Sequence, residues 1–309
     1  GFQTKILFPF NRNKKLLLIF FPLLILIIWF FLVLYTLSKV PFSHLSMSLG
    51  TGLVGSHVYF IHGYNGNDSQ FSDMVAYLNS TDFFDNNPYK KSPLFFNYYE
   101  KYYNLGLTKT EIHNIEGGIS TYAEDFYDQL CKTHESAEID IVAHSLGGLI
   151  VREMLHTHRR ELELSGIKIL RVITLGTPHL GTELVNHPLT KQILWFCGLD
   201  YETIIEQSLT PGSAFLTHLN QDPASYMEDI EWYFIAGVSL HPLVLSFQEI
   251  IFNGVPCDGL VDCESALAVG LDFEPVNRII LQKDHEQLIC DPQNHVSYEY
   301  INKWLSIKS

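Results

Sequence analysis

Basic residues are scarce: 20 Lys and Arg stand against 34 Asp and Glu, a formal net charge of −14. The scarcity is uneven. Residues 1–40 hold five bases (Lys5, Arg12, Lys14, Lys15 and Lys39) and no acid, so the rest of the chain has fifteen bases and a net charge of −19. A body that acidic repels phosphate backbones and anionic lipid surfaces, which argues against a nucleic-acid partner. Cysteine is sparse too. None of the five forms a zinc-type pair, and an odd count leaves at least one thiol unpaired within a monomer. Cys257 and Cys263 bracket a short loop, whereas Cys131, Cys197 and Cys290 are scattered. Low-complexity tracts and internal repeats are absent. The length suits one large domain or two small ones, with ample residues for a core.

Charge is missing altogether from residues 16–37, which are mostly Leu, Ile, Phe and Val. At about 1.5 Å per residue, twenty-two residues are long enough to cross a hydrocarbon layer of roughly 30 Å. The apolar core of a secretory signal is shorter, about 7–15 residues, so an uncleaved anchor is the better reading. A buried soluble helix would need a polar face, and this segment has none. Four bases precede the span and only Lys39 follows closely. The positive-inside bias then keeps residues 1–15 cytoplasmic and sends the body across the membrane as a single-pass, extracytoplasmic domain. Residues 38–55 read as a polar linker. Asn67-Asp68-Ser69 and Asn79-Ser80-Thr81 match the glycosylation pattern, which has meaning only in a source that glycosylates.

From residue 56 onward apolar strands alternate with helical spacing. Strands are expected at 57–61, 94–99, 139–143, 167–175, 231–236 and 277–282. Helices are expected at 69–78, at 121–131 with Ser120 as N-cap, after Ser145, and at 296–307. Such alternation implies a mostly parallel sheet covered by helices on both faces. Two stretches break it. Residues 182–230 carry Ile193, Leu194, Trp195 and Phe196, and residues 239–256 carry Leu243, Val244, Leu245 and Phe247. Insertions of that length are commonly lids or binding loops, or else amphipathic helices packed on the sheet; the lid is favoured for 182–230.

The chemistry centres on Ala143-His144-Ser145-Leu146-Gly147, where a buried strand turns sharply into a helix. Small residues two before and two after Ser145 let the backbone bend and lift Oγ into a cleft, the nucleophile turn G-x-S-x-G with Ala in the first position. A serine hydroxyl needs a base, usually His, and that base needs a carboxylate to fix its tautomer. Both follow in the order acid then His. Asp258 lies in a turn before Gly259, and His285 comes directly after the last strand. Asp262 is the alternative acid, and His295 the alternative histidine. Asp258 is preferred because Gly259 leaves it at the tip of a turn. His285 is preferred because loops directly after strands carry catalytic groups. His144 diverges from its neighbour and is a poor candidate base. Two backbone donors are needed for the oxyanion: Leu146, and Tyr64 in the loop His62-Gly63-Tyr64-Asn65-Gly66. That loop lacks the Lys-Ser/Thr ending of a phosphate-binding P-loop.

Phe60-Ile61-His62-Gly63, Ala143-His144-Ser145-Leu146-Gly147-Gly148, Gly176-Thr177-Pro178-His179-Leu180-Gly181 and Asp258-Gly259-Leu260-Val261 together resemble the serine lipase branch of the α/β-hydrolase superfamily. Bacterial triacylglycerol lipases and the catalytic domain of glycosylphosphatidylinositol inositol-deacylases share this set. The resemblance covers about residues 56–309. It implies an α/β-hydrolase fold with a lid-like insertion at 182–230 and the triad Ser145, Asp258 and His285. It further implies oxyanion donors Tyr64 and Leu146, and a substrate wall from His62, Gly63, His144, Pro178 and His179, the 176–181 segment being otherwise a plain turn. The expected activity is hydrolysis of carboxylic esters, with lipid acyl esters favoured, and without metal or cofactor. Rival readings are an acyltransferase or thioesterase on the same triad, a non-catalytic binding module, and a membrane-tethered interaction protein.

Overall fold

The computed structural model describes residues 53–81, 83–86, 92–188, 190–191 and 203–307. The expected membrane span at 16–37 and the cluster 193–196 lie outside them. Among the described residues no helix is long and apolar enough to cross a membrane.

Six strands form one fully parallel sheet: β1 (Leu53–Ile61), β2 (Ser92–Phe96), β3 (His134–His144), β4 (Ile167–Leu175), β5 (Glu231–Gly237) and β6 (Asn277–Leu281). Their spatial order is β2-β1-β3-β4-β5-β6. Every adjacent pair is parallel, so all carboxyl ends share one edge. Parallel neighbours require crossovers, and the helices that make them bury both sheet faces. This is why β3 to β5 read as continuous apolar runs instead of alternating ones.

The two faces can be read residue by residue. Tyr59, Ile61, Ile139, Ile141, Ala143, Val172, Trp232 and Phe234 point into one core. Their neighbours Val58, Phe60, Val142, Ile173, Tyr233 and Ile235 point into the other, as the two-residue period of a strand demands. The second core is closed by α1 (Ser72–Ser80), through Met74 and Leu78. On the first face, α2 (Ile119–Thr133) buries Ile119, Tyr122, Ala123, Phe126 and Leu130, a helical stripe. A fully buried Phe or Leu of this kind contributes about 1.5–3 kcal/mol relative to exposure. Beside α2 lies α3 (Leu146–Leu164), buried along its first ten residues.

The insertion at 182–230 contributes α4 (Ile204–Leu209), α5 (Ala214–Leu219) and α6 (Ala224–Met227) to the first face. Residues 239–256 form α7 (Pro242–Ile251), and α8 (Val296–Leu305) closes the second face through Tyr298, Ile301 and Trp304.

Several expected helix boundaries shift: the 69–78 helix begins at Ser72 and runs to Ser80, the 121–131 helix spans Ile119–Thr133, and the 296–307 helix ends at Leu305. Ser120 lies inside α2, whose N-cap is Gly118 at φ 55°. The Ser120 hydroxyl instead donates to Glu153 on α3 at 2.6 Å. Cys257 and Cys263 flank the expected loop but face different ways. Cys257 is the bridge partner of Asp262, and Cys263 begins the short helix that follows. The two thiols enter separate apolar clusters, both unpaired.

Candidate active site

The sheet order creates the cleft. From β1 the chain crosses to β2 on one side, and it then returns to β3 on the other side of β1. The loops after β1 and β3 therefore part, and a crevice opens at their carboxyl ends. Ser145 follows β3, and the 62–66 loop follows β1.

Ser145 has φ 53° and ψ −124°, a region that non-glycine residues avoid at a cost of about 1–3 kcal/mol. Its surroundings enforce that conformation. The Ser145 amide donates to the Leu175 carbonyl at 2.9 Å, and its own carbonyl accepts from Gly148 N–H at 3.1 Å as α3 begins. A Cβ on Gly147 would stand 2.7 Å from the carbonyl oxygens of both Ile61 and His62. The small residue two after the serine is thus required by the close approach of α3 to the end of β1.

Asp258 and His285 meet as a buried pair, Oδ2 to Nδ1 at 2.7 Å. The other carboxylate oxygen accepts the amides of Leu260 (2.9 Å) and Val261 (2.8 Å). The His285 amide donates to the Asp258 carbonyl at 3.1 Å, so main chain and side chain fix the same pairing. With Nδ1 committed, Nε2 is the nitrogen left for chemistry. Burial pushes the His285 imidazolium down, but the Asp258 charge and hydrogen bond outweigh it and leave the group above its ordinary value. The alternatives are engaged elsewhere. Asp262 caps a short helix through Ser265 N–H at 2.8 Å, and His295 stacks on Tyr298.

Ser145 follows β3 and His285 follows β6, and the loop after β4 lies between them. Gly176 follows Leu175, the residue that holds the Ser145 amide. A Cβ there would fall 3.0 Å from both Asp258 Oδ2 and His285 Nδ1. No hydrogen bond yet joins the Ser145 hydroxyl to His285 among the described residues.

The 62–66 loop lies directly on the nucleophile: a Cβ on Gly63 would be 2.8 Å from Ser145 Cβ. Three donors converge on the Gly63 carbonyl. They are the Tyr98 hydroxyl at 2.6 Å, His62 Nδ1 at 2.9 Å and the Gly66 amide at 3.1 Å. In a trans peptide the N–H points opposite to the C=O. Pinning that carbonyl inward therefore turns the Tyr64 N–H outward. Leu146 N–H is the first of the orphan donors at the start of α3. Tyr64 and Leu146 remain the two main-chain donors expected from the sequence.

Of the expected substrate wall, His62, His144, Pro178 and His179 are buried, as are Asp258 and His285. His144 Nε2–H donates to the His285 carbonyl at 3.1 Å, bracing the histidine loop. Burial first, and the neighbouring His285 second, hold His144 well below the ordinary histidine range, so it stays neutral. His179 faces Thr174 through Nε2 at 3.1 Å, and its carbonyl accepts from Asn220 at 3.0 Å. Tyr98, Tyr99 and Asn97 were not anticipated. They stand directly after β2, and Tyr99 Oη accepts from Asn65 N–H at 3.4 Å. A run of polar aromatics at the carboxyl end of a strand was the available signal. No group of three or more metal-ligating side chains exists among the described residues.

Comparison with known proteins follows from this geometry. A lipase from Bacillus licheniformis, BlEst2 in its mature form, superposes with a TM-score of 0.53 at 16% identity, covering 86% of this chain and 96% of that one. The phospholipase PlaB from Legionella pneumophila gives 0.56 at 14% identity over 82% of this chain and 59% of its own. A gene product of Listeria innocua gives 0.52 at 15% identity, covering 82% and 96% respectively. At these identities the likeness establishes the fold alone, a parallel α/β sheet covered by helices. No curated protein sequence matches the chain. The family described as "Putative serine esterase (DUF676)" matches residues 56–227, more than half of the chain. The chain therefore belongs to the DUF676 serine esterase family and is a carboxylic-ester hydrolase.

Proposed function

We propose that this esterase cleaves lipid acyl esters through Ser145, His285 and Asp258, and that residues 16–37 anchor it in a membrane with the hydrolase domain extracytoplasmic. The observation that carries the reading is the buried Asp258–His285 pair, 2.7 Å apart, beside the strained Ser145 turn. Ser145 Oγ attacks the acyl carbonyl while His285 Nε2 takes its proton. The oxyanion forms against the Tyr64 and Leu146 amides, each such donor contributing about 2.7–4 kcal/mol to the transition state. The alcohol leaves with the proton from His285, and water activated by the same nitrogen releases the acid.

The lipid preference has support beyond fold likeness. On the segment that packs over the acid loop, where Val244 meets Gly259, Leu240, Leu245 and Ile250 remain exposed. An apolar rim beside the cleft suits an acyl chain or a lipid surface. The acidic body favours uncharged or zwitterionic lipids over anionic ones. Ser145→Ala is expected to lower hydrolysis of short p-nitrophenyl esters by at least about a thousandfold. Retained activity in that variant would end the reading. A rate jump above the micellar threshold with long-chain esters would support a moving lid.

A further inference from the structure

The Tyr64 side chain ties the loop after β1 to the insertion. Its hydroxyl donates to Glu206 Oε1 at 3.2 Å and lies 3.0 Å from His113 Nδ1, while its ring stacks on the His113 ring at 4.4 Å. Glu206 belongs to α4. Its second oxygen accepts the Thr203 amide at 3.2 Å, and its own amide donates to Thr203 Oγ1, so the same carboxylate caps α4. Asn114, the neighbour of His113, accepts the Ile204 amide at 3.3 Å. The start of α4 is thus docked on the 113–114 segment, and the Tyr64 phenol is wedged between them. Burial and the Glu206 charge both raise the phenol's pKa, which keeps its donor proton in place.

We propose that Glu206, acting through the Tyr64 hydroxyl, is a positioning residue for the Tyr64 main-chain donor, so that docking of α4 and completion of the oxyanion site are one coupled event. This rests on the esterase reading above. A main-chain donor must be held to within fractions of an ångström, and the Tyr64 hydroxyl adds a side-chain restraint to those on the Gly63 carbonyl. The carboxylate–phenol bond is charge-assisted and half-buried. It links the loop directly to the insertion. His113 completes the arrangement by stacking on the ring and offering Nδ1–H to the phenol oxygen.

The test is kinetic and uses the full chain in neutral detergent, with active sites counted by complete fluorophosphonate labelling of Ser145. Tyr64→Phe retains the amide and the ring but loses the hydroxyl. It is expected to lower kcat per labelled site by about tenfold, with KM changed less than about threefold, as for an interaction made in the transition state. Glu206→Ala should match it, and the double variant should be no worse than either single. Glu206→Gln keeps an acceptor for the phenol and should recover most of the loss. The rate of fluorophosphonate attack, which builds a comparable oxyanion, should fall in parallel with kcat. Wild-type turnover rates in both single variants would overturn the proposal, as would additive losses in the double. If wild-type protein is not labelled at Ser145, the esterase mechanism fails instead, and the two failures are distinguishable.

Discussion

The Tyr98 hydroxyl donates to the Gly63 carbonyl at 2.6 Å, from the end of one strand to the loop that follows its neighbour. The bond acts on the Gly63–Tyr64 peptide as a whole, because a carbonyl held inward holds the next N–H outward. Tyr98→Phe keeps the ring in its cluster and removes only this donor, while His62 and Gly66 still hold the carbonyl. The expected loss is about 1 kcal/mol of stability, typical of one net hydrogen bond. Turnover should fall several-fold with KM nearly unchanged. Thermal melting and steady-state kinetics on the same preparation check both numbers.

The Asp258–His285 pair fixes the direction of the pH dependence of turnover. A general base must be neutral, and the Asp258 carboxylate raises the His285 pKa above the unperturbed 6.5. Activity should therefore decline as pH falls through a value higher than that of a free imidazole. Asp258→Asn removes the charge and the tautomer control together. It should cost about ten-thousandfold in turnover, as in other triads of this type. A pH–rate profile for wild type with a midpoint below 6.5 would contradict the assignment of His285 as base.

Much of this site was legible because its parts are local. The small residues around Ser145 are demanded by the approach of α3 to β1, and a parallel strand buried on both faces leaves an apolar run in the sequence. The 167–175 strand was readable to the residue for that reason. The residues that aim the loop after β1 were not legible. Tyr98 acts 35 positions from Gly63, and Glu206 acts 142 positions from Tyr64. Such partners are fixed by sheet order and by insertion docking, neither of which a periodic pattern contains. Ser120 was misread because serine is a common N-cap, whereas here a glycine with positive φ begins the helix and the hydroxyl has a tertiary partner. The burial of the histidines beside the motifs was likewise not legible, because position in the chain does not give it.

Those buried histidines carry a consequence for stability. His57, His62, His113, His144 and His179 are all held below their ordinary pKa, chiefly by burial, and His113 is lowered to about 4. Below pH 6.5 the unfolded chain takes up protons at these positions that the folded chain refuses. Stability present above 6.5 is then lost as pH falls, by up to about 1.4 kcal/mol per pH unit for each proton refused. His285 works in the opposite sense, since its raised pKa stabilises the folded state at low pH and that contribution disappears as pH rises through the folded value. One histidine opposes six, since His156 is lowered by burial as well. Denaturation midpoints measured from pH 8 to pH 5 should fall, steeply below 6.5. A flat profile would mean that these side chains are protonated in the folded state.

Arg152 gives the last expectation, because it joins the nucleophile helix to the insertion from inside the core. The side chain is fully buried on α3, and its guanidinium donates to Asn220 Oδ1 at 2.7 Å and to Tyr226 Oη at 2.6 Å. Asn220 in turn donates to the His179 carbonyl, and the Tyr226 hydroxyl donates to the Leu219 carbonyl at 2.8 Å. Replacing Arg152 by Met fills much of the volume but strands these acceptors in an apolar setting, each costing about 1–3 kcal/mol. The net destabilisation should be roughly 2–4 kcal/mol, read as a lower denaturant midpoint. Amide exchange should accelerate across α5 and α6, which the guanidinium ties to α3, more than across the strands. Uniform acceleration over the whole domain would instead show that Arg152 stabilises the fold globally and does not fasten the insertion in particular.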